Sequence, residues 1–166
     1  MNDALRVLLL PGWLDSGPTH WQTRWQALHG FDRVQQADWQ WPRRGDWMAR
    51  LDEVLLADDR PAVLAAHSLG CLLVAAWAAH SQHTARVTGA LLVAPPDVER
   101  DDLAPQLWPW RPIARRPLGR PSLALMARKA AASRAKAGAN RVACRSSAAS
   151  WVALGKTSFD DWQRLT

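Results

Sequence analysis

Of the side chains able to act as nucleophile, acid or base, Ser68 is the most tightly framed by its neighbours. It lies in the stretch 61–77, PAVLAAHSLGCLLVAAW, where one apolar run enters His67-Ser68-Leu69-Gly70 and a second leaves it. Such a pattern describes a buried strand, a sharp turn and a buried helix, with a serine at the apex. The small-x-Ser-x-Gly form of that turn is the nucleophile elbow, which lifts a serine hydroxyl above the end of a parallel sheet. Ala66 and Gly70 supply the small positions that a close strand–helix crossing requires. The Leu69 N–H would then sit at a helix N-terminus, where unpaired donors and the helix dipole favour a developing oxyanion. The competing interpretation is an ordinary strand–loop–helix junction in which Ser68 only caps the helix.

A serine needs a base, and the five histidines are candidates. His80 and His83 fall at the far end of the helix after the turn, which puts His80 about 18 Å from Ser68 at about 1.5 Å per residue. His67 adjoins the serine, but successive residues at a strand end face opposite ways. His29 ends its helix away from the site. His20 starts near the loop after the first strand and is the candidate on the correct edge. Asp97 follows the strand after the elbow, and its expected role is to cap a helix after Pro96.

The elements that would hold these residues alternate. Strands are predicted at 5–10, 33–37, 62–66 and 87–94, and helices at 18–28, 46–57 and 69–79. Trp21, Trp25 and Leu28, and then Trp47, Leu51, Val54 and Leu55, fall at helical spacing, so these stripes and Trp77 are expected in the core. Strands separated by helices of this length imply a parallel, doubly wound sheet with its site outside the strands' carboxyl ends. That edge would gather Gly12-Trp13, Ser68 and Asp97. Trp13, Trp108 and Trp110 are expected along the same rim as aromatic walls, and Trp39 and Trp41 could border it too.

Composition divides the chain. Residues 1–102 carry nine arginines, no lysine and thirteen acids, a net charge of −4; residues 103–166 carry twelve basic residues and two acids, a net charge of +10. At 166 residues the chain suits one domain. No apolar run approaches the roughly 18 residues of a membrane span, and the N-terminus does not resemble a signal peptide. Cys71 and Cys144 lack metal or redox spacing, so no metal or cofactor is expected, and a reducing, cytoplasmic setting is.

Pro11-Gly12-Trp13, Ser16-Gly17, His20-Trp21-Gln22, Trp25, AHSLGC and Ala94-Pro95-Pro96-Asp97 together resemble the small serine hydrolase family of retinoblastoma-binding protein 9 and the bacterial YdeN-like proteins. The resemblance spans roughly residues 5–125. It implies a three-layer minimal α/β-hydrolase fold with a mainly parallel sheet. It also implies carboxylesterase-like hydrolysis of a small ester, thioester or amide through an acyl-enzyme on Ser68. An oxyanion hole would come from the N–H groups of Leu69 and Trp13, and His20 belongs to the family's motif in a structural or substrate-facing role; Trp108 and Trp110, the rim aromatics, are expected toward the substrate on the residue pattern. The family also carries an Asp after a strand matching 121–126 and, 25 to 30 residues later, a Gly-His. Here no acid follows Asp102 until Asp160, and no histidine follows His83. Only the serine of the triad transfers, and impaired catalysis is the expectation. The alternative is a catalytically silent hydrolase fold that binds a protein partner.

The core is therefore assigned to 1–126, with a basic Ala/Arg/Ser-rich segment at 127–166 in which the last strand and helix are doubtful. Three origins stand open for that segment: a shifted reading frame, a solvated helix, or an arm that binds a polyanion. The expectation favours them in that order, so a small acyl substrate is expected, and neither nucleic acid nor a membrane.

Overall fold

The structure is a computed structural model and describes residues 5–115 and 127–128. Five strands, β1 (Arg6–Leu10), β2 (Asp32–Arg33), β3 (Ala62–His67), β4 (Val87–Val93) and β5 (Ala127–Arg128), form one sheet in the order β2-β1-β3-β4-β5. Every pairing is parallel. The helices α1 (Trp21–His29), α2 (Arg44–Leu56) and α3 (Leu69–His80) connect the first four strands. The expected strand over 121–126 lies outside the described residues; β5 begins just after it and pairs Leu92 and Val93 with Ala127 and Arg128.

This strand order fixes the layers. From β1 the chain steps outward to β2, then returns past β1 to β3 and on to β4. Right-handed crossovers in opposite directions place α1 on one face and α2 and α3 on the other. The strands bury side chains on both faces, which explains why β3 reads as a continuous AVLAA run rather than an alternation. Leu8, Leu10, Ala62, Leu64, Ala66, Ala90 and Leu92 belong to the large core with Leu51, Leu55, Leu73 and Trp77. The intervening Leu9, Val63, Ala65 and Leu91 are also buried, but toward the α1 face.

On the α2–α3 side two polar ties accompany the packing. The Trp77 indole donates to Asp52 at 2.7 Å, and the Ser81 hydroxyl donates to the same carboxylate oxygen at 2.8 Å. Arg6, buried at the start of β1, donates to the carbonyls of Val54, Leu55 and Asp58, so a cation closes the negative end of α2.

Three expectations require correction. The Trp21–Trp25–Leu28 stripe is not the buried face of α1: Leu28 is 73% exposed, and the two tryptophans are half-buried and stack edge-on. The buried residue of α1 is Gln22. Trp110 is not on the rim, because only 1% of it is exposed, its ring packs against Trp47, and its N–H reaches the Pro42 carbonyl at 2.8 Å. Asp97 starts no helix; its carboxylate accepts the Glu99 N–H in a local turn, and the next helical element is a 3-10 turn at Pro105–Trp110.

Candidate active site

The strand order reverses direction between β1 and β3, and in open parallel sheets the crevice at such a point receives ligands. There the segments 11–16 and 67–70 leave the sheet side by side. Leu10 is in register with Ala66, and His67 with Val93.

Ser68 joins β3 to α3 with φ 51° and ψ −119°. This lies outside the regions that L-residues occupy without strain. The residue stands at the N-cap position, yet its side chain accepts no hydrogen bond from the helix. An ordinary capping serine would have extended backbone and would accept from the second or third helical N–H, so the capping interpretation fails. The turn is held from both sides: the Ser68 N–H donates to the Val93 carbonyl at 2.9 Å, and its carbonyl accepts the Cys71 N–H at 2.9 Å.

Two glycines make the crossing possible. A Cβ on Gly70 would lie 2.2 Å from the Leu10 carbonyl oxygen and 2.8 Å from that of Pro11, so α3 starts directly against the end of β1. A Cβ on Gly12 would lie 2.8 Å from the Ser68 Cβ and 3.2 Å from its Oγ. The peptide following Gly12, which carries the Trp13 N–H, is thereby brought close to the serine. Leu69 opens α3, so its N–H has no acceptor within the helix. Among the described residues neither the Leu69 nor the Trp13 N–H is used by a turn, loop or cap.

A model of a family described as serine hydrolase matches residues 7–157. The chain belongs to the serine hydrolase family. Among solved structures it is similar to a YdeN-like hydrolase of Pectobacterium atrosepticum, with 25% identity and a TM-score of 0.61 over 75% of this chain and 62% of that one. The chain thus spans less than two thirds of that relative's length. It is also similar in fold to the ydeN gene product of B. subtilis, at 20% identity and a TM-score of 0.51 over 75% of this chain and 71% of that one. No curated protein matches. These findings and the parallel sheet make the fold a minimal α/β hydrolase.

Within this member of the family the loop 12–16 is locked to its surroundings. Leu14 and Asp15 both adopt left-handed backbone, with φ 66° and 63°. The Leu14 N–H donates to the Trp39 carbonyl, and the Trp13 indole donates to that of Gln40 at 2.9 Å. Arg33 reaches back from β2 to the Asp15 carboxylate at 2.9 Å, the Ser16 carbonyl at 3.2 Å and the Thr23 hydroxyl at 2.6 Å.

His20 caps α1: its Nδ1 accepts the Gln22 N–H at 3.3 Å. A neutral ring that accepts at Nδ1 carries its proton on Nε2. Its ring stands edge-on to His67 with centroids 4.5 Å apart, and His67 also faces Trp21. Burial, followed by the Arg33 charge and opposed by Asp15, lowers the His20 pKa. Burial, then His20, lowers that of His67. Cys71, just inside α3, is unsuited to act as a nucleophile: burial pushes its thiol up to about 12.

The remaining histidines are placed elsewhere. His80 bonds the Ala76 carbonyl at the end of α3, His83 precedes the 3-10 turn Thr84–Arg86, and His29 packs on Phe31. Trp108 is 55% exposed after β4, with its indole on the Leu103 carbonyl. Among the described residues no group of three or more metal-ligating side chains forms, and no helix is long and apolar enough to cross a membrane. Sequence reasoning assigned no role to Gln22. The helical spacing of the tryptophans pointed to another face of α1, and nothing in the hydropathy pattern marked Gln22 as the residue that meets the sheet.

Proposed function

We propose that the chain is a serine hydrolase acting on a small ester, thioester or amide, with Ser68 as nucleophile on an elbow. The backbone of Ser68, at φ 51° between two glycines in near contact, carries this reading. Strained backbone of this kind costs about 1–3 kcal/mol and clusters at functional turns. In the proposed reaction Ser68 Oγ attacks the acyl carbon, and the Leu69 and Trp13 N–H groups receive the negative charge that develops on the carbonyl oxygen. The leaving group departs with a proton, and water then cleaves the acyl-enzyme. His20 and Trp108 are proposed to face the substrate.

His20 is ill-suited as base, because its Nδ1 lone pair is engaged by the Gln22 N–H and Nε2 holds the proton. With no histidine beyond His83 in the sequence, turnover is proposed to be low. A serine site lacking its base retains roughly 10³–10⁴-fold acceleration over water, from binding and the oxyanion hole. The segment 127–166, proposed to be atypical and possible to read in another frame, lies almost wholly outside the described residues. An Asp-Pro and a Gly-His in another frame downstream of the Met126 codon would support a shifted frame; their absence from both frames would exclude it.

A fluorophosphonate probe tests the proposal. Labelling that disappears in Ser68→Ala supports an activated serine. A folded sample that takes up no probe favours the second reading, a silent hydrolase fold that binds a protein. The exposed Leu14, Trp41 and Trp108 are the observation in its favour.

A further inference from the structure

We infer that Gln22 is a positioning residue that sets the separation between the Ser68 turn and the Trp13 loop, the two halves of the proposed oxyanion hole. The inference rests on the reading of Ser68 given above. Gln22 is fully buried, on a helix that otherwise lies half open to solvent. A buried carboxamide is costly unless its groups are bonded, and here they are. Nε2 donates to the Leu10 carbonyl at 3.0 Å and to the Ala65 carbonyl at 2.9 Å, while Oε1 accepts the Ser16 hydroxyl at 2.7 Å. Two carbonyl partners use both N–H donors, which fixes which end of the amide is nitrogen and leaves the group no second orientation.

The three partners are placed where they matter. Leu10 is the last residue of β1 before Pro11-Gly12-Trp13, and Ala65 lies three residues before Ser68. Ser16 is at the other end of the same loop. One side chain therefore grips the loop where it leaves the sheet, grips it again where it turns toward α1, and ties both points to the elbow strand. The Leu10 carbonyl is also the group that a Cβ at Gly70 would strike. It is thus held between α3 on one side and Gln22 on the other. An oxyanion hole needs its donors about 2.7–3.1 Å from one oxygen, and its two donors here come from separate segments. A link across those segments sets whether both can reach the same atom.

The test compares wild type with Gln22→Met, which keeps the side chain's length and removes every hydrogen bond, and with Ser16→Ala, which keeps both Nε2 bonds. Labelling of Ser68 by a fluorophosphonate is measured per folded molecule, with folding checked by near-ultraviolet tryptophan circular dichroism. Backbone amide exchange is followed in parallel. Gln22→Met is expected to label about 10²-fold more slowly, the scale of a misplacement near 1 Å or a lost oxyanion donor. Ser16→Ala is expected to slow labelling by about three- to tenfold, the worth of one hydrogen bond. The Leu14 and Asp15 amides, bonded to the Trp39 and Gly12 carbonyls, are expected to exchange faster while the β3 amides do not change.

A purely structural role lowers the melting temperature but leaves labelling per folded molecule and loop exchange at wild-type values, and that result overturns the inference. If Gln22→Met does not fold, Ser16→Ala carries both readouts. If wild type takes up no probe, the reading of Ser68 fails by itself, and exchange decides: acceleration confined to residues 12–16 sustains the positioning role, and its absence refutes it.

Discussion

Gly12→Ala probes the contact on which the proposed site depends. Gly12 has no positive φ to protect, so the substitution acts through space alone. The new Cβ would stand 2.8 Å from the Ser68 Cβ, closer than the 3.0 Å that real Cβ contacts keep, so the two segments must part, by 0.6 Å to reach the ordinary 3.4 Å. The serine cannot easily yield, since its N–H and carbonyl are fixed to Val93 and Cys71. Overpacking of this kind costs about 1–3 kcal/mol, and each kcal/mol lowers the melting temperature by about 2–4 °C at this chain length. The same movement shifts Ser68 Oγ relative to the oxyanion donor proposed at Trp13, and a 1 Å error at a reacting centre can cost about 10²-fold. A shift of roughly half that size is expected to slow fluorophosphonate labelling about tenfold or more. Gly17→Ala is the control, because a Cβ there meets nothing within 4 Å. A Gly12→Ala protein that melts and labels like wild type would refute the close approach and the site built on it.

Further expectations follow from other contacts. Gly70→Ala drives a Cβ into the Leu10 and Pro11 carbonyls, so it is expected to destabilise the fold more than Gly12→Ala does, as read from denaturant midpoints. Asp52→Ala removes the acceptor of both Trp77 and Ser81; a loss of about 1–3 kcal/mol is expected in urea unfolding. The folded pKa values of His20 and His67 lie below the unfolded value of 6.5, so the unfolded chain binds more protons. Stability is therefore full above about pH 6.5 and falls as the pH drops from there through the lowered folded values. His20→Asn keeps a capping side chain and is expected to flatten the dependence of melting temperature on pH between 7 and 5; an unchanged slope would count against a His20 pKa lowered by burial and the Arg33 charge. The Cys71 thiol, held up to about 12, is expected to resist iodoacetamide until the protein unfolds.

Most of the sheet was legible because buried strands and helices leave strong apolar runs. The strands expected at 62–66 and 87–94 are observed at Ala62–His67 and Val87–Val93, and the helix expected at 69–79 at Leu69–His80. β2 was harder to place: expected at 33–37, it is only Asp32–Arg33, because the chain leaves β1 once the Val34 N–H has reached the Leu9 carbonyl. α1 misled through composition. Its tryptophans carry the helical spacing, but they stack on one another and on Phe31 and His67 at the half-open side. The face toward the sheet is polar, because Gln22 bonds strand carbonyls there, and no hydropathy pattern announces such a contact. Trp110 was misplaced for a related reason: a Trp-Pro-Trp run does not tell which ring turns inward. Ser68 could be picked out from its neighbours alone, since the turn needs small residues that the sequence displays. Its left-handed backbone could not.

That backbone has a consequence for substitution at Ser68 itself. At φ 51° a glycine would be relaxed where serine is not, so Ser68→Gly relieves about 1–3 kcal/mol of strain, offset by the roughly 0.4–1 kcal/mol of added unfolded-state entropy that a glycine brings. Against a total stability of about 5–15 kcal/mol, the upper end of that net gain is large. Ser68→Gly is therefore expected to leave the fold intact while removing the hydroxyl, so at this one position backbone comfort and the proposed chemistry oppose each other.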